Sequence, residues 1–190
     1  MQWTIPGTVL TGPREKPEAV QEQIRAMFLA GGIVRSQVAA VTGLEPYAVQ
    51  NWVKRGFLSP PVGKRYTLRQ LCRILIINML KSALSMEKIC GLLSYINGEL
   101  DDESDDIIGD EELYFAFVRV ASRYTGLMED RQALHSCIHE SLEDYRQSEP
   151  GAKERVEQVL AIMRAAWVSS LLRQQAENEL AAIIPIVKGE

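Results

Sequence analysis

Apolar residues Val20, Ile24, Met27 and Phe28 recur at three- and four-residue spacing between Glu18 and Ala30, the period of one buried helix face. Gly31-Gly32 ends that run. Next, "SQVAAVT" carries Val38, Ala39 and Val41 behind Ser36, whose hydroxyl suits an N-cap, and Gly43 suits a left-handed helix end. Pro46 fits a first helical position, where its missing N–H costs nothing. The helix it opens runs to about Arg55, buries Val49 with Trp52 or Val53, and closes at Gly56. After a Pro/Gly-rich stretch, Thr67 caps "LRQLCRILIINMLKSAL" and Ser85 starts "MEKICGLLSYI", both with helical apolar spacing. Three further helices are predicted beyond residue 112, the last about 30 residues long, with Pro150-Gly151 before it. The segment before Pro17, rich in Gly and Pro, predicts an irregular arm. The chain is expected to be mainly all-α.

Two of these helices, short and joined by a tight Gly-containing turn, have the pattern of a helix-turn-helix. The stretch "FLSPPVGKRYTL" that follows holds β-capable residues on both sides of a turn. It predicts a small two-stranded wing, with Lys64 and Arg65 near its tip or on its return strand.

Composition changes this picture little, but charge changes it much. The 190 residues are 46% hydrophobic, enough for a real core, and no apolar run approaches the ~20 residues a membrane span needs. Three scattered cysteines, Cys72, Cys90 and Cys137, fit reduced thiols in a cytoplasmic protein. The net charge of −4 averages two opposite regions. From Arg35 to Ile96, nine Lys and Arg stand against two acids; from Asn97 to Glu190, nine stand against twenty. Such a split is expected where one part of a chain meets a polyanion.

Gly43, Pro46, Val49, Trp52, Gly56, Phe57, Leu58 and Pro60 follow the pattern G-x-x-P-x-x-apolar-x-x-aromatic-x-x-x-G-apolar-apolar-x-P. With Tyr66, Thr67, Leu71 and Ile74 entering the third helix, and Leu84, Ser85, Met86 and Ile89 the fourth, this region resembles the head of MerR-type bacterial transcription regulators. The runs "KRYTLRQL" and "LSMEKICGLL" resemble still more an uncharacterised bacterial domain family sharing that head. The likeness covers roughly a third of the chain. It implies a winged helix-turn-helix on double-stranded DNA and a homodimer paired through a C-terminal helix. Gln50 and Asn51 replace the Arg-Tyr pair usual in that pattern, and the wing is short, so base preference does not carry over.

The expected division is an N-terminal arm and helix (1–34), the DNA-binding head (35–97), an acidic linker (98–112) and a helical effector and dimerisation half (113–190). On the head, Gln50 and Asn51 are the residue types that bond adenine in two places. Lys54, Arg55, Lys64, Arg65 and Arg69 suit phosphates, and Tyr47 and Tyr66 complete the expected contact set. On the last helix, Val156, Leu160, Met163, Trp167 and Leu171 form the stripe expected to pair protomers.

The rest of the acidic half carries weaker chemistry. Nine carboxylates and no cation fall between Glu99 and Glu112. Asp101, Glu103, Asp105 and Glu112 imitate calcium-loop spacing, but Asp106 stands where the sharp turn needs glycine, so a solvated linker is expected. His135 and His139 stand one turn apart with Cys137 between; with no second ligand pair nearby in sequence, a surface pair is expected rather than zinc. Tyr114, Phe115, Phe117, Tyr124 and Trp167 are expected as core, with room left for an unknown small-molecule effector. No cofactor, metal or membrane is called for, and no phosphate loop, nucleophile elbow or zinc-hydrolase motif suggests an enzyme. A protein-binding adaptor or antirepressor keeping the head as a scaffold is the alternative.

Overall fold

The computed structural model describes residues 2–123 and 130–184. It is mainly helical, with two small antiparallel sheets. Strands β1 (Gln2–Thr4) and β2 (Thr11–Pro13) precede helix α1 (Pro17–Ala26). Strand β3 (Ile33–Val34) leads into α2 (Arg35–Thr42) and α3 (Pro46–Lys54), and β4 (Arg65–Tyr66) into α4 (Leu68–Leu80) and α5 (Met86–Asn97). A 3-10 turn at Glu103–Asp105 precedes α6 (Asp110–Arg123), α7 (Arg131–Ser141) and α8 (Ala152–Ile183).

Local chemistry sets most helix ends. Thr67 Oγ1 accepts from the Gln70 amide at 3.1 Å while Gln70 Oε1 accepts from the Thr67 amide at 3.0 Å, a reciprocal cap. Gly43 adopts φ 68, closing α2 in the left-handed region. The expected Ser36 cap is corrected: α2 begins two residues earlier, with Val34 at the N-cap and its amide bonded to Gln37 Oε1 at 2.9 Å. Pairing of β3 draws Ser36 inside the helix.

Two larger expectations are also corrected. The residues before Pro17 form the β1–β2 hairpin, not an irregular arm, and this segment touches α1, α2, α4, α6 and α8. Ile5 is fully buried, Asn78 Nδ2 donates to the Gly7 carbonyl, and the Tyr114 hydroxyl donates to the Pro6 carbonyl at 2.8 Å. The wing's return strand does not pair with the Phe57–Leu58 stretch. Ile33 pairs with Tyr66 and Val34 with Arg65, and across the turn over Gly63 and Lys64 only an isolated Val62–Arg65 bridge forms, since Pro60 and Pro61 before it have no N–H to extend a ladder.

Helix α4 runs through the centre, packed against α2, α5, α6 and α8, with Leu71 through Ile77 all buried. Buried apolar residues from the basic and acidic regions form one continuous cluster. The acidic stretch is solvated only in part. Residues 101–105 are exposed, but Ile107 and Ile108 are buried, and Asp110 at the start of α6 is 1% exposed. Its carboxylate receives Arg73 Nη1 at 3.3 Å and Asn97 Nδ2 at 3.2 Å, so this stretch clasps α4 to α6.

The expected pairing stripe is corrected as well. Val156, Leu160 and Met163 are fully buried in the chain's own core. Trp167 meets Trp3 and Phe117 edge-on, with ring centroids 6.3 and 5.8 Å away. Of that stripe only Leu171 is exposed. The aromatic set is core too, with Tyr114, Phe115 and Phe117 buried; Tyr124 lies outside the described residues.

Candidate nucleic-acid interface

Helix α3 has two faces because Val49 and Trp52 bury against the core, with Val53 half-buried beside them. A helical period then turns Tyr47, Gln50, Asn51 and Lys54 outward, and all four are exposed. Thr42 fixes the approach to α3: its hydroxyl donates to the Val38 carbonyl at 2.8 Å and accepts from the Leu44 amide at 3.2 Å.

The β3–β4 pairing sets the turn over Gly63 and Lys64 beside this helix. Between them lies an open groove of about 840 Å³, floored by Val34, Pro46, Val53 and Pro61. Its polar lining is Arg35, Ser36, Gln50, Lys54 and Lys64, with Tyr66 at the back. Arg35, Lys54 and Lys64 are exposed and have no carboxylate partner among the described residues. Three cations thus rim a concave surface whose floor is apolar and whose centre carries an amide.

The other expected contact residues are distributed unevenly. Arg55 is exposed but occupied: Nη2 meets Glu87 Oε1 at 3.0 Å, and its guanidinium lies 4.5 Å from the Phe57 ring centroid. Arg65 donates to the Gly32 carbonyl at 2.6 Å while remaining exposed. Two residues leave the contact set. Tyr66 is 3% exposed, and burial pushes its phenol up. Arg69 is enclosed by Asp106, by Glu103 at 3.4 Å and by Asp110 at 3.9 Å, so its charge is spent inside the molecule. Burial opposes that guanidinium's charge, but the surrounding acids, Asp106 first, outweigh it and hold Arg69 above its ordinary value. Burial also lifts Asp106 and Asp110 above the usual aspartate range despite the cations beside them.

Arg35 and Ser36 are the groove residues that sequence reasoning missed. Arg35 belongs to the basic run, but only the pairing of β3 with β4, 33 positions apart at Ile33 and Tyr66 by their numbers, carries it to the turn over Gly63 and Lys64. No local pattern signals that contact.

Residues 33–117 match a family described as a domain of unknown function, DUF1836. The match begins at β3 and ends within α6, so it takes in the groove and both sides of the Arg73–Asp110 clasp. Over 72 residues the chain is 38% identical to the uncharacterized protein YkrK of Bacillus subtilis (strain 168), an alignment covering 36% of this chain and 31% of that protein. The chain therefore spans less than a third of the curated relative it matches. No solved structure matches it.

Proposed function

We propose that this protein binds duplex DNA in a sequence-dependent way, as a MerR-like winged helix-turn-helix regulator, and does so as a homodimer. The observation that carries the reading is the groove beside α3. Its three cations have no carboxylate partner among the described residues, while Arg69 and Arg73, deeper in the same region, are neutralised by carboxylates. Cations left unpaired around a concave face are available to phosphates. In this assignment Arg35, Lys54 and Lys64 hold the backbone, and Gln50 and Asn51 read base edges. Arg65 and Tyr47 flank the same face.

The proposed dimer seam differs from the buried stripe. Along the outer side of α8, Ile162, Ala165, Ser169, Leu172, Ala176, Leu180 and Ile183 follow at three- and four-residue spacing, and all are exposed. The seam covers roughly 30 Å of helix and continues past the chain's own core. Its small residues permit close approach. The flanking Arg173, Glu177 and Glu179 include both signs, so a second copy meets no uniform like charge.

Duplex fragments retained by the purified protein from sheared genomic DNA test both parts. A recovered site with two-fold symmetry, bound at least about tenfold more weakly by Lys54→Glu, is expected. Loss of all duplex affinity together with a stable protein partner would instead establish the adaptor reading.

A further inference from the structure

Between α5 and α6 the chain leaves the core and returns to it at one point. The Ile107 amide donates to the Ile96 carbonyl at 2.9 Å, and Ile107 and Ile108 are buried, so residues 98–106 form a loop closed at its base. The loop carries six carboxylates (Glu99, Asp101, Asp102, Glu103, Asp105 and Asp106) and no cation. Leu100, its one apolar residue apart from the glycine, is half-buried. Bonds within the loop tie it into a unit: the Glu99 amide donates to Asp105 Oδ2 at 2.9 Å, and the Ser104 amide to Asp102 Oδ1 at 2.9 Å.

Polar contacts hold this loop against the start of α4. Asp101 Oδ1 accepts from the Ser59 hydroxyl at 2.6 Å, Glu103 Oε2 lies 3.4 Å from Arg69 Nη1, and Asp106 takes Arg69 Nη2. Those partners adjoin the groove. Gln70, next to Arg69, donates to the Ser59 and Pro60 carbonyls at 3.0 and 3.1 Å, and Pro61 is part of the groove floor. An open cavity of about 350 Å³ also adjoins the loop, lined by Ser104, Asp105 and Asp106 together with Glu149 and Arg155. The loop therefore has space to shift without opening the core.

We propose, resting on the groove as the duplex site, that loop 98–106 is an autoinhibitory strap: it withholds Arg69 from DNA phosphate, and duplex affinity rises when it lifts. A guanidinium forms charge-assisted bonds with carboxylate and phosphate alike, so lifting exchanges one partner for the other. The strap's charges also act on the groove directly. Two peptide units of about 3.8 Å separate Ser59 from Pro61, and at low ionic strength screening sets in only beyond about 30 Å. A phosphate approaching the groove meets the strap's carboxylates as like charge.

The test is fluorescence anisotropy of the full chain with a labelled mixed-sequence duplex across a range of salt. The Asp101→Asn/Glu103→Gln/Asp106→Asn variant should bind at least about tenfold more tightly than the parent at low salt, with a log–log slope steeper by about 0.9 for the added phosphate contact. Adding Arg69→Gln should remove that gain, whereas Arg69→Gln alone should leave the parent's affinity within about twofold. Neutralising three exposed acids in and after α7, with Glu140→Gln/Glu143→Gln/Asp144→Asn, should give no comparable gain. If the triple strap variant does not melt cooperatively, Asp101→Asn/Glu103→Gln, which keeps Asp106, should show part of the same gain. Parent-like affinity in the strap variants, with the parent itself binding duplex, overturns the strap and leaves the groove reading standing. A gain that survives Arg69→Gln, an equal gain from the α7 variant, or a large loss on Arg69→Gln alone overturns it equally. No duplex binding by the parent or by any strap variant overturns both.

Discussion

Lys64 is the residue at which folding and function pull apart most clearly. It is a non-glycine with φ 64, in the turn that leads into β4, where an L side chain is disfavoured. Lys64→Gly should leave stability unchanged or raise it by up to about 1 kcal/mol, while duplex affinity falls. Thermal melting and fluorescence anisotropy on the same sample check both signs. Gln50 and Lys54 separate in another way. Gln50→Ala should cost about 1–3 kcal/mol at one base pair with an unchanged salt slope, whereas Lys54→Gln should weaken all sequences alike and flatten the slope. Asp106 supplies a pH dependence. Its folded pKa is raised, chiefly by burial, so the native state holds its proton where the unfolded chain has released it. Relative to Asp106→Asn, the parent should therefore gain stability as pH falls, fully below the ordinary aspartate value of about 3.9. That gain is lost as pH rises through the raised value. Melting temperatures of the two proteins across pH 4 to 7 measure the difference.

Among the elements, those fixed by neighbours a few residues away were legible in sequence and those fixed by distant partners were not. The Thr67 cap, the Gly43 end, Pro46 at the start of α3 and the break at Gly151 each depend on local backbone chemistry, and the structure has them where the sequence predicts. The β3–β4 pairing, the N-terminal hairpin and the docking of Asp106 and Asp110 depend on contacts across long separations, which composition reads only as "acidic" or "Gly/Pro-rich". The groove's outward face on α3 was readable from helical period; the occupation of Arg69 by acids was not. Two substitutions probe these long-range elements. A Cβ at Gly7, which has φ 76, would come 2.3 Å from the Leu75 carbonyl oxygen, so Gly7→Ala should destabilise by about 2–4 kcal/mol in urea unfolding. Asp110→Asn leaves the buried Arg73 without its counter-charge and should cost about 3–5 kcal/mol.

At the scale of the whole molecule, the first half of α8 belongs to the core and the second half does not. Residues 171–184 are exposed throughout, with Leu180 at 54% and Ile183 at 77%. Replacing Leu172 and Leu180 with Glu should give a folded monomer by sedimentation, with melting nearly unchanged because neither side chain enters the core. The opposed charges of the basic and acidic regions meet in the clasp, not in two separate lobes, so the groove's remaining cations face outward from a body that is otherwise acidic. Among the described residues no helix is long and apolar enough to cross a membrane. Duplex binding through the groove is tested most sharply by its salt dependence, compared between the parent protein and the Arg35→Gln/Lys54→Gln/Lys64→Gln variant. The variant should bind far more weakly at low salt, with a log–log slope shallower by about 0.9 for each phosphate contact removed. Equal affinity and equal slope in the two proteins, or no duplex binding by the parent at any salt, would contradict it.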